Sequence, residues 1–400
     1  MTIKSIRQAK GLSGKTVFLR VDFNVPMKRG RVADDNRLRQ TLPDIAFLLE
    51  KKCKVIIATH LGRPEGKKVL AYSTKPLAVY LSKLLQRPVK FLDGTGPKLI
   101  AAKKVIAQAK PESVIFLENL RFNKEEQAND KAFAKKLAAL ADIYVNDAFA
   151  VSHRADASVA AIKQFLPSYA GLLLEKEIIN LHRVLAPRHP LIVVIGGEKI
   201  ATKINLLKNL LPAASRILIG GALAHPFLAA ENIPIGQSLI DEDSIKIARE
   251  LLRHSGGKII LPVDVITCSD LKDLKKIGPK NIIKVRKIKD VGERETICDI
   301  GPETIGLFSE YLRSAKTIVW NGPMGLIEIG SFSHGTLIIA RMIASRASGE
   351  AYAVVGGGET VEALALSGMG EYIDWVSTGG GAMLAFLGKE PMPGLEGLVK

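Results

Sequence analysis

Cysteine is scarce in this 400-residue chain: Cys53, Cys268 and Cys298 are the only three, scattered and never in a CxxC pair. That excludes a disulfide framework and supplies no zinc-ligand spacing. A reducing, cytoplasmic compartment is the expectation. Aromatic residues make up 6% of the chain, with no interleaved aromatic and basic motif, so base stacking on nucleic acid is not indicated. No apolar run approaches the ~18 residues that a membrane span needs. The opening segment, MTIKSIRQAKGLSGK, has no apolar stretch of the kind a secretory leader carries. Carboxylates are short in one region only. Up to Ala170 there are 31 Lys+Arg against 15 Asp+Glu, and beyond it 26 against 25, so nearly all of the +17 formal charge lies in the first part.

Such an imbalance points to an anionic partner for that part, either nucleic acid or a small, multiply charged metabolite. The pairs Lys51-Lys52, Lys67-Lys68, Lys103-Lys104 and Lys135-Lys136 read instead as solvated surface. The length favours two domains, and 47% hydrophobic with 24% charged residues is ordinary for a globular protein.

Short apolar runs recur at 17–24, 55–60, 114–118, 143–146, 191–195, 217–219, 259–263, 317–320, 351–355 and 375–377. Helix-like stretches such as 130–141 and 243–254 lie between them. The alternation predicts an α/β protein of doubly wound parallel sheets with helices on both faces. Runs such as LIVVI and AYAVV are apolar throughout, as strands buried on both faces are. A helix-like stretch at 172–185 precedes Ala186-Pro187-Arg188-His189-Pro190, and two prolines so close mark a break. The expected organisation is a domain over 1–170, a connecting helix over 171–187, a second domain over 188–388 and a tail over 389–400.

The strand ends carry the chemistry. In the second half, five runs close on glycine: Gly196-Gly197, Gly220-Gly221, Asn321-Gly322-Pro323, Gly356-Gly357-Gly358 and Gly379-Gly380-Gly381. Ligands of open parallel sheets bind beyond the carboxyl ends of the strands. Glycine there lets backbone approach a ligand, and a following helix N-terminus offers N–H groups to phosphate. Five such clusters at one topological position predict a nucleotide-phosphate site. In the first half the strand ends carry Arg, His, Asp and Asn instead: RVDFN at 20–24, HLGRP at 60–64, ENLRF at 118–122, NDAF at 146–149 and His153-Arg154. Arginines hold phosphate or carboxylate with paired bonds, and Asp22 and Asn24 suit a substrate hydroxyl. One half reads as built for nucleotide and the other for a small anion. Two glycine motifs are decoys. Gly14-Lys15-Thr16 lacks the leading P-loop glycine, because position 9 is Ala9, and it precedes a strand rather than a helix. Gly94-Thr95-Gly96 lacks a third glycine.

These segments resemble the phosphoglycerate kinase family. RVDFNVP at 20–26, HLGRP, ENLRF and NDAF with His153-Arg154 are similar to its N-domain. GGEK at 196–199 with Lys203, LPVD at 261–264, WNGPMG at 320–325, GGGET at 356–360, STGGGA at 377–382 and PGLEGL at 393–398 are similar to its C-domain. The resemblance implies two doubly wound domains facing each other across a cleft and joined by a helix. It further implies reversible transfer of a phosphoryl group between 1,3-bisphosphoglycerate and ADP, giving 3-phosphoglycerate and ATP. The substrate positions it implies are Asp22, Phe23, Asn24, Arg37, His60, Leu61, Gly62, Arg63, Arg121 and Arg154. The nucleotide positions are Gly197, Lys199, Lys203, Asn321, Glu328, Gly356, Gly357, Gly358, Glu359 and Thr360. Arg37, Lys199 and Gly380 would act on the transferring group. Mg2+ would accompany ATP or ADP, with Glu359 on its side. The implied partners are these small molecules alone, with no nucleic acid and no membrane, and the chain would be monomeric.

Two departures stand out: Glu359 where the family usually has Asp, and Glu198 where it usually has Ala before the lysine. The residues around 296–299 match the family's adenine side poorly. Two rival readings are a nucleic-acid-binding protein, drawn from the basic first half, and an inactive family member kept for interaction. Arg37, Lys199 and Lys203 speak against the second.

Overall fold

The computed structural model describes residues 2–94, 96, 98–198, 200–269 and 282–399. The chain divides into two compact units. One is Met1–Ile179 together with Pro391–Lys400, and the other is Asn180–Glu390. The division falls inside the helix Leu172–Leu185, ahead of the proline pair. None of the helices among the described residues is long and apolar enough to cross a membrane.

The first unit is built on a six-stranded parallel sheet. Its spatial order is Val89–Leu92, Val114–Leu117, Lys54–Ala58, Thr16–Val21, Ile143–Asp147 and Ser168–Ala170. Successive side chains of a strand point to opposite faces, and here both faces are buried. Val17, Leu19 and Val21 enter one hydrophobic core with Val55, Ile57 and Phe116. Phe18, Ile56, Ala58, Ile115 and Tyr144 enter a second core on the other face. This is why the strands read as continuous apolar runs. Helix Lys131–Ala138 begins where Asp130 caps it by accepting from Phe133 N at 2.6 Å, and it ends three residues short of the stretch read from the sequence.

The second unit has a six-stranded parallel sheet in the order Ile259–Ile260, Arg216–Ile219, Leu191–Ile195, Thr317–Asn321, Tyr352–Val355 and Trp375–Val376. The order in which the chain adds strands reverses between Leu191–Ile195 and Thr317–Asn321, which pair parallel. Beside it stands a three-stranded antiparallel sheet of Asp264–Ser269, Ile283–Lys287 and Glu295–Ile300, which the sequence reading did not contain.

Two buried carboxyl groups hold the start of the helix Leu172–Leu185. Asp44 accepts from Leu172 N at 2.6 Å and Leu173 N at 3.3 Å. Asp147 Oδ1 accepts from Leu173 N at 3.0 Å and Leu174 N at 3.1 Å, while its Oδ2 has no hydrogen-bond partner. Burial raises the pKa of both, and the charge of Asp44 raises that of Asp147 further. A carboxyl pKa raised by folding contributes stability that is full below the unfolded value of about 3.9 and is lost as pH rises through the folded value. Asp147→Asn keeps the accepting oxygen and removes one charge. Urea unfolding is therefore expected to show the variant gaining on wild type as pH rises from 4 to 8. A wild-type-minus-variant difference that is flat with pH would show that the pair carries no such strain.

Candidate functional site

The chemistry of the first unit gathers beyond the carboxyl ends of its central strands. Asp22 follows Thr16–Val21, His60 follows Lys54–Ala58 and Arg121 follows Val114–Leu117. Asp22 Oδ2 accepts from Arg37 Nη1 at 2.5 Å, and its Oδ1 accepts from Asn24 N at 3.1 Å. Arg37 Nη1 also reaches Asn24 O at 3.2 Å. Asn24 Oδ1 accepts from Gly62 N at 2.9 Å, so the two loops are tied together. Gly62 has φ +64, where a side chain is strained, and the Tyr72 ring fills the space that a Cβ would enter. Phe23 N donates to Thr59 Oγ1 at 2.9 Å, and Leu61 N to Asn119 Oδ1 at 3.2 Å. Arg63 is exposed on the same loop.

Arg121 is only 2% exposed. Its Nη1 donates to Gly62 O at 3.1 Å. Its Nη2 faces Asp156 at 3.5 Å, and Nε and Nη2 make no hydrogen bond. His60 is buried, and that burial pushes its pKa well below the usual imidazole value. Arg20, Arg121, Arg154 and Arg37 push it in the same direction. Four guanidinium groups therefore act on one neutral imidazole. In the support beneath them, Arg20 and Asn119 stood within strand-end motifs of the sequence without a role of their own, and Glu126, Asp156 and Ser158 were given none. A visible signal existed for Arg20, a lone cation inside the apolar run TVFLRV.

In the second unit the glycine loops meet where the strand order reverses, which is where open α/β sheets bind ligands. Lys203 is 7% exposed, and its Nζ donates to Gly196 O. Burial lowers its pKa to about 8, against the pull of Glu359. Gly197 (φ +85) and Gly322 (φ +95) flank the ammonium, and a Cβ on either would stand 2.8 Å from Nζ. Asn321 Nδ2 donates to Gly356 O at 2.7 Å, and Gly322 N to Thr360 Oγ1 at 2.7 Å. The helix Gly358–Ser367 starts at this loop with Glu359 in its first turn. Gly380 opens the helix Gly380–Leu387 and lies against Gly357. Lys199 falls outside the described residues.

A cavity of about 300 Å³ adjoins these loops. Gly197, Glu198, Glu328 and Glu359 line it together with apolar groups such as Leu228 and Met324. Asp299 also lines it and was missed from the sequence. It accepts from Gly335 N at 2.8 Å and Ile300 N at 2.9 Å, and burial raises its pKa to about 7. Among the described residues no group of three or more His, Cys, Asp or Glu side chains is arranged to hold a metal.

Comparison with known proteins agrees over nearly the whole chain. The family model described as phosphoglycerate kinase matches residues 6–390. A phosphoglycerate kinase of Dictyoglomus turgidum is 44% identical over 399 residues, covering 98% of each chain. One of Moorella thermoacetica is 42% identical over 405 residues, covering 100% of this chain and 99% of the other. Among solved structures, phosphoglycerate kinase from Coxiella burnetii superposes with a TM-score of 0.86 at 37% identity, over 99% of this chain and 98% of that one.

Proposed function

Since the chain belongs to the phosphoglycerate kinase family, whose members catalyse the glycolytic phosphoryl transfer between 1,3-bisphosphoglycerate and ADP, we propose how its residues divide that work. The first unit holds the phosphoglycerate. Arg63, Arg121 and Arg154 bind its charged groups with His60, and Asp22 and Asn24 orient its hydroxyl. The observation that carries this is Arg121, a buried guanidinium whose Nε and Nη2 make no hydrogen bond, Nη2 being held only by a 3.5 Å ion pair with Asp156. Buried donors without acceptors are costly, and an entering anion relieves them.

The second unit holds the nucleotide. Lys203 sits where backbone without side chains leaves room for phosphate. Gly356, Gly357, Gly358 and Thr360 form the adjoining loop, and the helix Gly358–Ser367 aims its N-terminus into it. Gly197, Asn321 and Glu328 complete this side. Arg37, Lys199 and the backbone at Gly380 act on the transferring group. Phosphoryl transfer needs positioning and charge stabilisation more than covalent help. An acyl phosphate is already an activated donor, so direct transfer needs no enzyme-bound intermediate. Because the half-sites belong to different units, transfer requires bringing them together, which also excludes water.

Mg2+ prefers oxygen donors and keeps several waters and phosphate oxygens as ligands. The exposed carboxylates of Glu359, Glu328 and Glu198 around the cavity fit such an ion, with the nucleotide supplying most of its ligands. When bound, the ion neutralises phosphate charge. Glu359 reaches one methylene further than the Asp usual in the family and serves the metal side.

A coupled assay with 3-phosphoglycerate and Mg-ATP tests the function, and absence of turnover would overturn it. In the same assay Glu359→Gln is expected to raise the Mg2+ needed for half-maximal rate several-fold, about the effect of losing one charge-assisted contact. Glu359→Asp should largely preserve activity. An unchanged metal requirement in Glu359→Gln would remove Glu359 from the metal.

A further inference from the structure

Arg20 stands on the central strand of the first sheet and is fully buried. Arginine carries only donors, which fixes the direction of every bond around it. Its Nε donates to Ser158 Oγ at 2.9 Å, and its Nη1 to Val21 O. Ser158 Oγ, having accepted from Arg20, turns its own proton to Glu126 Oε1 at 2.5 Å, and Ser158 N donates to Glu126 Oε2 at 3.0 Å. Both oxygens of the completely buried Glu126 therefore accept. At the other end of the guanidinium, Nη2 lies 3.4 Å from His60 Nδ1. A donor on that side makes Nδ1 the acceptor, so the ring proton sits on Nε2. Asp22 Oδ1 is 3.7 Å from the same nitrogen, beyond hydrogen-bond reach, and does not compete for a proton there.

We propose that Glu126 is a positioning residue for the phosphoglycerate site: through Ser158 it orients Arg20, which holds His60 as the neutral tautomer with its proton on Nε2. The inference rests on His60 belonging to that site, as proposed above. The tautomer matters because an anion needs an N–H from the imidazole, whereas the alternative form would offer it a lone pair. Doubly protonated imidazole is disfavoured among the surrounding guanidinium groups. A buried cation whose partner is removed is destabilised in place, so Arg20 would shift and release Nδ1. The hydrogen bonds of the Glu126 carboxylate go to Ser158 and to none of the residues assigned to substrate, although its charge also acts on Arg121.

Glu126→Gln keeps the shape but sets an amide NH2 against one of the two donors of Ser158. The expected result is a KM for 3-phosphoglycerate raised about 10-fold, the scale of one buried donor left unpaired, with KM for Mg-ATP unchanged. Nitrogen NMR of His60 should change from a single form, Nδ1 bare and Nε2 protonated, to a mixture of tautomers. Ser158→Ala, which deletes only the linking hydroxyl, should move both readouts in the same direction and decides the matter if Glu126→Gln does not fold. With His60→Ala already present, Ser158→Ala should add nothing to KM. If His60→Ala raises KM for 3-phosphoglycerate while Ser158→Ala leaves both KM and the His60 spectrum at wild type, the positioning role is overturned and the site assignment stands. If His60→Ala leaves that KM unchanged, the site assignment falls and the inference with it.

Discussion

Arg37→Ala is expected to lower kcat by on the order of 10²-fold or more, the scale of losing one preorganised donor to a developing charge. The structure adds a reason for a large effect. Arg37 Nη1 is held by Asp22 at 2.5 Å and by Asn24 O at 3.2 Å, and Asn24 is tied in turn to Gly62 N at 2.9 Å. A guanidinium fixed in this way loses little entropy when a phosphoryl group arrives. Removing it also leaves the nearly buried Asp22 carboxylate without its cation, which would repel an anionic substrate. The fall in kcat should therefore exceed the change in KM for Mg-ATP, because the proposed nucleotide site belongs to the other unit. Steady-state kinetics with both substrates varied checks this, and a kcat near wild type would remove Arg37 from the transfer step.

Gly380→Ala is expected to lower kcat/KM for Mg-ATP by about 10²-fold, the scale of displacing a reacting group by about 1 Å. A Cβ at position 380 would stand 2.6 Å from Gly357 Cα and 3.0 Å from Gly357 N. These are backbone atoms, so no side chain can rotate away. Gly357 has little room to retreat: its φ is +106, and the space where its own Cβ would lie is 3.0 Å from Asn321 Nδ2. The push would pass to Gly356 O, which accepts from Asn321, and to Thr360 Oγ1, which accepts from Gly322 N. Gly370→Ala is the control, since a methyl there meets open space and should leave the kinetics at wild type. A Gly380→Ala protein with unaltered kcat/KM would mean that the two glycine loops do not constrain each other in solution.

Gly380 follows a strand end that the sequence itself marks, whereas Arg37 lies in the first turn of the helix Asn36–Glu50 and came only from the family resemblance. LIVVI, TIVW and AYAVV announce strands buried on both faces, and the glycines after them mark where backbone must approach a ligand. The helix Leu172–Leu185 was legible from its own apolar spacing. The antiparallel sheet was not. Ile283–Lys287, IKVRK, alternates as a strand does but is exposed at four of five positions, and five residues with three cations are too short and too polar to stand out. Asp299 was missed because it gives no local signal. Its distant partner, Gly335 N, is set by how the helix His334–Ala347 packs near Glu295–Ile300.

The sequence by itself determined the α/β class, the doubly wound sheets, the charge asymmetry, and the contrast between arginine-rich and glycine-rich strand ends. These follow from periodicity and residue type, which are properties of neighbours along the chain. Only the tertiary structure decided which ends meet. It joined Asp44 to Leu172 across 128 positions and Arg20 to Ser158 across 138, and it set Gly380 against Gly357. Such contacts depend on the order of strands in a sheet and on the crossovers between them. A buried cation such as Arg20 is tolerated only because distant groups arrive to accept its hydrogen bonds, and no local pattern records where those groups will come from.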